Sequence, residues 1–418
     1  MILTIALIAL LGLTILNYVI TRNLAHPAVV QAGIWSLQLI GLLIFRERFI
    51  EPSAVAIFIV MVGATMFTIG SHLSLNAGIG KGNIVSPRIV RPNLRWFWLV
   101  SIVIIICSYV QYRIFLGLSD GVDFSRGLIL TRTLMSLGDE DIYGVFKYGN
   151  SIALGTVALL QISIMKSSNN LYRNILFGVV FVATCFMAIL STGRGSLAQI
   201  LILIGLIYIL GGAKKFINRR ISVALLTVSV LTFLIFWIMG NAMGKAGDSA
   251  VEAANDVIIY QLSPIPALSV YLDSHHIKFV GGEIGINTFR FPIAILAKLG
   301  LVKKPAPLIQ EFVNVPTSTN IYTGYLLPIK DFGWISVVFF PFIYGLMHGT
   351  LFKWAMKNRR DDYAIFVIGV SYLPLLQYTG GETYFSLLSF WIQLLIVGFI
   401  LTKTIKSFRE KHLNDIKI

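Results

Sequence analysis

Six residues of this chain have types and positions suited to holding an anion or moving a proton: Arg194, Arg290, His275, His276, Glu283 and Glu382. Arg194 stands in Ser191-Thr192-Gly193-Arg194-Gly195-Ser196, a short polar break between two apolar runs. Flanking glycines let a backbone approach a ligand closely. A helix that starts at Ser196 would turn its free N–H groups and positive dipole end toward the same place, where an anion would sit. A guanidinium there is a two-pronged phosphate clamp. An arginine that only snorkels to a membrane edge and caps a hairpin fits the pattern equally well. Arg290 lies in Asn287-Thr288-Phe289-Arg290-Phe291-Pro292, whose aromatic residues suit a membrane interface. A phosphate contact and a salt bridge to Glu283 or Glu311 are equal readings of it.

The groups for proton transfer carry a thinner signal. His275 and His276 follow Asp273. Histidine suits a general base near neutral pH, although surface histidines of a loop are the commoner case. Two adjacent histidines with no Cys or carboxylate at ligand spacing do not make a metal site, so neither a metal nor another cofactor is expected. Glu382 is the only acid in the turn Thr379-Gly380-Gly381-Glu382-Thr383. A carboxylate between two apolar runs is expensive unless wet or paired, and a solvated turn residue is the plain reading. Asp331-Phe332-Gly333 opens an apolar run, where an aspartate reads as a helix N-cap. It is not a kinase motif, because no glycine-rich loop or catalytic loop accompanies it. Arg113 falls inside an apolar run near its end and reads as a snorkelling residue.

These residues sit on a very apolar chain. Of 418 residues, 56% are apolar and 13% charged, with a mean hydropathy of +0.80. Soluble chains carry about 25% charged residues. The fold class is therefore all-α, a polytopic integral membrane protein. A membrane-spanning helix needs about 20 mostly apolar residues. Eleven runs qualify, at 2–20, 28–45, 53–71, 96–116, 149–165, 175–192, 196–212, 221–240, 333–352, 364–380 and 384–402. No basic segment precedes the opening run MILTIALIAL, so it reads as a retained span and not as a cleaved signal. Cys107 and Cys185 both lie inside apolar runs, where packing is a better account than a disulfide.

The long stretch Met239–Lys330 has no such run. It holds Tyr260, Tyr271, Phe279, Phe289, Phe291 and Phe312, with seven prolines. A disordered linker would lack these aromatics, and a long loop with apolar content of its own is usually functional. Residues 1–418 thus read as one transmembrane domain that includes a partly helical external loop, 240–330. No internal repeat or low-complexity tract divides it.

Charge placement sets the orientation. The alternate segments 21–27, 72–95, 166–174, 211–220, 353–363 and 403–418 hold 20 of the 34 Lys and Arg residues but only four of the 19 acids. By the positive-inside rule they face the cytoplasm. The N-terminus and the long loop are then outside and the C-terminus inside. The formal net charge of +15 orients the chain and meets anionic lipid head groups, and no nucleic-acid partner is implied.

Taken together, these features resemble the Wzy-type oligosaccharide repeat-unit polymerases of bacterial O-antigen and capsule synthesis. The matching pieces are Ser191-Thr192-Gly193-Arg194-Gly195 before an apolar run, and the long external loop. A third is Pro316-Thr317-Ser318-Thr319-Asn320, Tyr325 and Asp331-Phe332-Gly333, which lead into a run ending Tyr344-Gly345-Leu346-Met347-His348-Gly349. The resemblance covers most of the chain. It implies a glycosyltransferase of the bacterial cytoplasmic (inner) membrane that moves a growing glycan from undecaprenyl diphosphate to a sugar hydroxyl of the next lipid-linked repeat. The implied partners are the undecaprenyl-diphosphate-linked oligosaccharide donor and acceptor, membrane lipid, and a chain-length regulator protein. The leaving diphosphate needs positive charge more than an acid, and Arg194 and Arg290 would supply it without a metal. His275, His276, Glu283 and Glu382 are the groups available to take or orient the acceptor proton. An O-antigen ligase is the nearest alternative, and a flippase or other transporter of lipid-linked sugars is the alternative from another class. Transporters show internal repeats and broken, charged helices near mid-membrane, which the sequence does not suggest.

Overall fold

A chain segment in a bilayer must satisfy its own backbone N–H and C=O groups, and a helix does so within one segment. The structure, a computed structural model, describes residues 1–76, 94–118, 124–136, 142–166, 171–191, 194–211, 250–279, 285–307, 309–359 and 361–404, with 230, 234 and 238. The apolar part begins with α1 (Ile2–Thr21), α2 (Pro27–Ile44), α3 (Ala54–Asn76), α4 (Leu94–Leu118) and the amphipathic α5 (Phe124–Ser136). It continues with α6 (Gly149–Lys166), α7 (Leu171–Leu190) and α8 (Arg194–Gly211). Then come α9 (Ala250–Leu262), α10 (Pro264–Ser274), α11 (Arg290–Lys298), a two-stranded hairpin of β1 (Val313–Asn314) and β2 (Ser318–Thr319), and α12 (Leu326–Phe332). The last helices are α13 (Ser336–Lys357), α14 (Asp362–Gln377) and α15 (Leu388–Phe399).

Among the described residues seven helical segments are long and apolar enough to cross a membrane, and they contain α1–α4, α6, α7 and α13. The shorter apolar helices α8, α14 and α15 coincide with three more of the expected runs. Apart from 230, 234 and 238, the expected span 221–240 lies outside the described residues. Both cysteines are free thiols, Cys107 in α4 and Cys185 in α7. Arg113 lies exposed on α4, where its guanidinium donates to the Tyr109 hydroxyl at 3.4 Å.

The chain divides into two compact units. One comprises residues 84–254, 357–370 and 390–418. In it α6 packs on α7 and α8, and α4 on α6 and α7. Polar ties cross its apolar contacts: Ser151 donates to Gln393 at 2.7 Å, Tyr143 to the Leu190 carbonyl at 2.7 Å, and Lys166 pairs with Asp362 at 2.7 Å.

The other unit comprises residues 1–83, 255–356 and 371–389, and all described residues of the long stretch between the apolar runs, from 255 onward, belong to it. Its α1, α2 and α3 pack on one another, and α10 packs on α3. The crossing of α3 with α13 depends on glycines. A Cβ on Gly345 would overlap the Phe67 carbonyl, one on Gly349 would overlap Ser71 and Ser74, and one on Gly70 would overlap the Phe342 carbonyl. Small residues let membrane helices approach this closely. The glycines of Tyr344-Gly345-Leu346-Met347-His348-Gly349 therefore do packing work, while Tyr344 and His348 of the same motif reach other partners.

The expected orientation has a direct check. A phosphatase reporter fused after Lys278 should be active, and one fused after Ile418 should be silent. The reverse pattern would place the external stretch in the cytoplasm.

Candidate functional site

Helix α12 is seven residues long, and its two charged residues fix two different parts of the stretch 255–330. Lys330 Nζ reaches Gln310 Oε1 at 3.2 Å and Glu311 Oε1 at 3.4 Å, and it lies 5.0 Å from the ring centroid of Tyr271. Asp331 is only 1% exposed. Its carboxylate accepts from Asn287 N at 3.1 Å, from Asn287 Nδ2 at 2.8 Å and from Thr288 N at 2.6 Å. The sequence reading of Asp331 as an N-cap of the following span needs correction. Asp331 lies in the last turn of α12 and closes a turn 44 residues away along the chain. Buried charge has to be bonded, and backbone amides of a tight turn satisfy it here.

That turn leads directly into α11, whose first residue is Arg290. Phe289 just before it packs edge-on against Phe385 at 4.8 Å and against Phe332 at 5.7 Å. The carboxylate below and the aromatic rings beside it thus set where α11 begins, with the Arg290 guanidinium half-buried there.

Lys330 organises the second corner. His275 follows α10 directly, and its ring stacks on Tyr271 with centroids 4.0 Å apart. His275 Nδ1 lies 3.0 Å from the Tyr271 carbonyl. The Ser274 hydroxyl stands at 3.0 Å from the same nitrogen; in the tautomer with the proton on Nδ1, that nitrogen donates to the carbonyl and Nε2 carries the lone pair. Glu311 Oε2 stands 4.0 Å from Nε2, and the imidazole is open to solvent. The Tyr322 hydroxyl donates to the Glu311 carbonyl at 3.0 Å, and burial, with the Glu311 charge adding, pushes that hydroxyl up to about 12. His276 is exposed beside this corner.

Past His275 the chain is sewn to the start of α13. Trp334 N donates to the Lys278 carbonyl at 3.2 Å, and Trp334 Nε1 to the Ile277 carbonyl at 3.1 Å. Gly333 makes this possible. Its φ of 71° is a left-handed backbone, and a Cβ there would overlap the Lys278 carbonyl.

Glu382 departs from the solvated turn that the sequence suggested: it is 4% exposed. Its carboxylate accepts from the Tyr344 hydroxyl at 3.0 Å, Phe385 N at 3.1 Å and Ser386 N at 3.0 Å. Burial raises its proton affinity, and the backbone and hydroxyl donors oppose that rise. Around it Tyr344 stacks on Tyr384 at 3.9 Å, and Tyr378 meets Tyr344 and Tyr325 edge-on at 5.7 and 5.1 Å. Tyr384 Oη lies 2.8 Å from His348 Nε2. His348 is fully buried on α13, one helical turn below Tyr344.

Sequence reasoning passed over Tyr344, His348 and Tyr384. The signal available was a tyrosine and a histidine four residues apart on an apolar helix, where intramembrane polar groups share a face. Two of the candidates remain apart from this geometry. Arg194 opens α8, two residues earlier than expected, in the other unit, and its side chain lies outside the described residues. Glu283 also lies outside the described residues. Comparison with models of protein families, with curated proteins and with solved structures gave no match.

Proposed function

We propose that this protein is a membrane glycosyltransferase that polymerises polyprenyl-diphosphate-linked oligosaccharides, as the Wzy-type polymerases it resembles do. One observation carries the reading. The short helix α12, at the head of the α13 span, supports both the His275 corner and the turn that presents Arg290. In this reading a proton acceptor and a phosphate ligand share one support, beside an apolar helix whose end would lie at the depth where a lipid-linked substrate carries its diphosphate.

In this reading the acceptor hydroxyl oxygen bonds to the anomeric carbon of the donor as that carbon's bond to the diphosphate oxygen breaks. The hydroxyl proton passes to His275 Nε2, in the tautomer whose Nδ1 donates to the Tyr271 carbonyl. Charge developing on the leaving diphosphate is met by the Arg290 guanidinium. Arg194, on the first turn of α8, is assigned a phosphate contact of its own. Glu382 holds the tyrosines in register and does not take the proton, since it is buried and already accepts from three donors. The expected setting is the outer face of a bacterial cytoplasmic membrane, with eleven spans.

A transport reading comes second, favoured by His348. It is the thirteenth residue of the 22-residue α13 and is fully buried against Tyr384, a kind of intramembrane group that transporters use. Gene deletion separates the readings. Loss of a polymerase leaves single repeats on the surface acceptor, with lipid-linked single repeats accumulating. Loss of a transporter leaves no repeat outside the membrane, and loss of a ligase leaves lipid-linked polymer with nothing on the acceptor.

A further inference from the structure

The segment that follows Arg290 is only partly covered by protein: Phe291, Ile293 and Leu296 are half-buried, while Ile295 and the residues from Lys298 to Lys304 are exposed. None of the residues of α11 is buried, and Leu299 and Leu301 just beyond it are 67% and 69% exposed. Ile295 and Val302 are exposed as well. Phe291, Ile295 and Leu299 are spaced four residues apart, so α11 and its exit present them on one face. The helix stops at Gly300, whose φ is 73°, with Gly300 N bonded to the Ala297 carbonyl and Leu301 N to the Leu296 carbonyl at 3.0 Å each. This closure is a Schellman turn, and it carries Leu301 and Val302 back beside the helix end. An apolar face of this size in water is unfavourable.

The charges within the segment have one sign. Residues 285–310 contain Arg290, Lys298, Lys303 and Lys304 and no acid. Lys298, Lys303 and Lys304 are exposed, and none of them has an acidic partner among the described residues. The segment is also tied to the start of a long apolar helical segment. Its two ends are joined by the bond from Ala306 N to the Ile286 carbonyl at 3.2 Å, and Asp331 ties its base to α12, inside the apolar segment Leu326–Lys357. A nine-residue helix spans about 14 Å, so the whole face stays near the head of that span.

We infer that residues 290–304 lie in the bilayer surface at that end of α13. Phe291, Ile295, Leu299, Leu301 and Val302 enter the acyl boundary, and Lys298, Lys303 and Lys304 bind anionic phospholipid head groups. An amphipathic basic segment with large apolar side chains on one face behaves in this way. The inference does not depend on which reaction the protein performs.

The test uses the full chain with Cys107→Ser and Cys185→Ser, a single nitroxide-labelled cysteine at 299 or 301, and vesicles of phosphatidylcholine with or without phosphatidylglycerol. Collision with oxygen and with a water-soluble nickel chelate is read by spin resonance. A label at either position should meet oxygen readily and nickel poorly, as a label at Phe339 on the span should, while a label at His276 should meet nickel freely. The triple change of Lys298, Lys303 and Lys304 to Gln should shift the inserted-to-lifted ratio in phosphatidylglycerol vesicles by on the order of a hundredfold toward the lifted state. A label at 299 or 301 as open to nickel as that at His276 would overturn the inference. So would a label shielded from both reagents, which would mean that protein, such as a second copy, covers the face. An unchanged ratio in the triple variant would overturn the assignment of the lysines to lipid.

Discussion

Arg194→Ala is expected to abolish chain growth while the protein still inserts and accumulates normally. Arg194 is the first residue of α8, an 18-residue helix whose opening amide groups have no intrahelical partner. Gly195 beside it has open space where a Cβ would stand, so its small size is not needed for packing and leaves room for a ligand. Losing one contact to transition-state charge typically costs about 3–4 kcal/mol, or on the order of a hundredfold or more in rate. Arg194→Lys should also be strongly impaired. A lysine keeps the charge but loses the planar fork that matches two phosphate oxygens. Rates measured on purified protein with synthetic lipid-linked repeats decide the matter. Unchanged rate and chain length in Arg194→Ala would make this arginine an interfacial anchor and leave Arg290 to bind the diphosphate.

Asp331→Ala should release the segment from Ile286 to Ala306 from the rest of its unit. The alanine leaves the amides of Asn287 and Thr288 buried without their acceptor. Each buried donor left without its acceptor costs about 1–3 kcal/mol. Hydrogen exchange read by mass spectrometry should show amides 286–306 losing protection by on the order of a hundredfold. The helices α1–α3 should keep theirs. Asp331→Asn should be milder, because one oxygen still accepts from Asn287 while the new amide faces the Thr288 donor. Equal protection in wild type and Asp331→Ala would show that the aromatic contacts of Phe289 alone hold the turn.

The membrane helices were legible in the sequence because each is a continuous apolar run, and a run in lipid has little choice but to be helical. Where turns are tight, as before Arg194, the boundary was found to within a couple of residues. The external stretch was legible only as folded, from its aromatics. Its inner logic was not, because it depends on long-range partners. Nothing near Asp331 in the sequence announces that it closes a turn at Asn287, and its place before an apolar run invites the N-cap reading. Glu382 looked solvated because it follows two glycines, yet Tyr344, 38 residues away, covers it. His348 was easy to pass over inside a glycine-rich motif. Its glycines serve the α3 crossing, and the histidine faces Tyr384 instead. The His275 corner needed Glu311 and Lys330, which stand 36 and 55 positions further along the chain.

The central claim is that this chain extends a glycan on a polyprenyl diphosphate. The direct measurement incubates the purified full-length protein in vesicles with one synthetic lipid-linked oligosaccharide as both donor and acceptor. Products are separated by size. A ladder of lipid-linked glycans, each step one repeat longer, with polyprenyl diphosphate released at each step and no ladder from Arg194→Ala, is the predicted result. Unchanged single repeats, with no diphosphate lipid released by folded, correctly inserted protein, would contradict it.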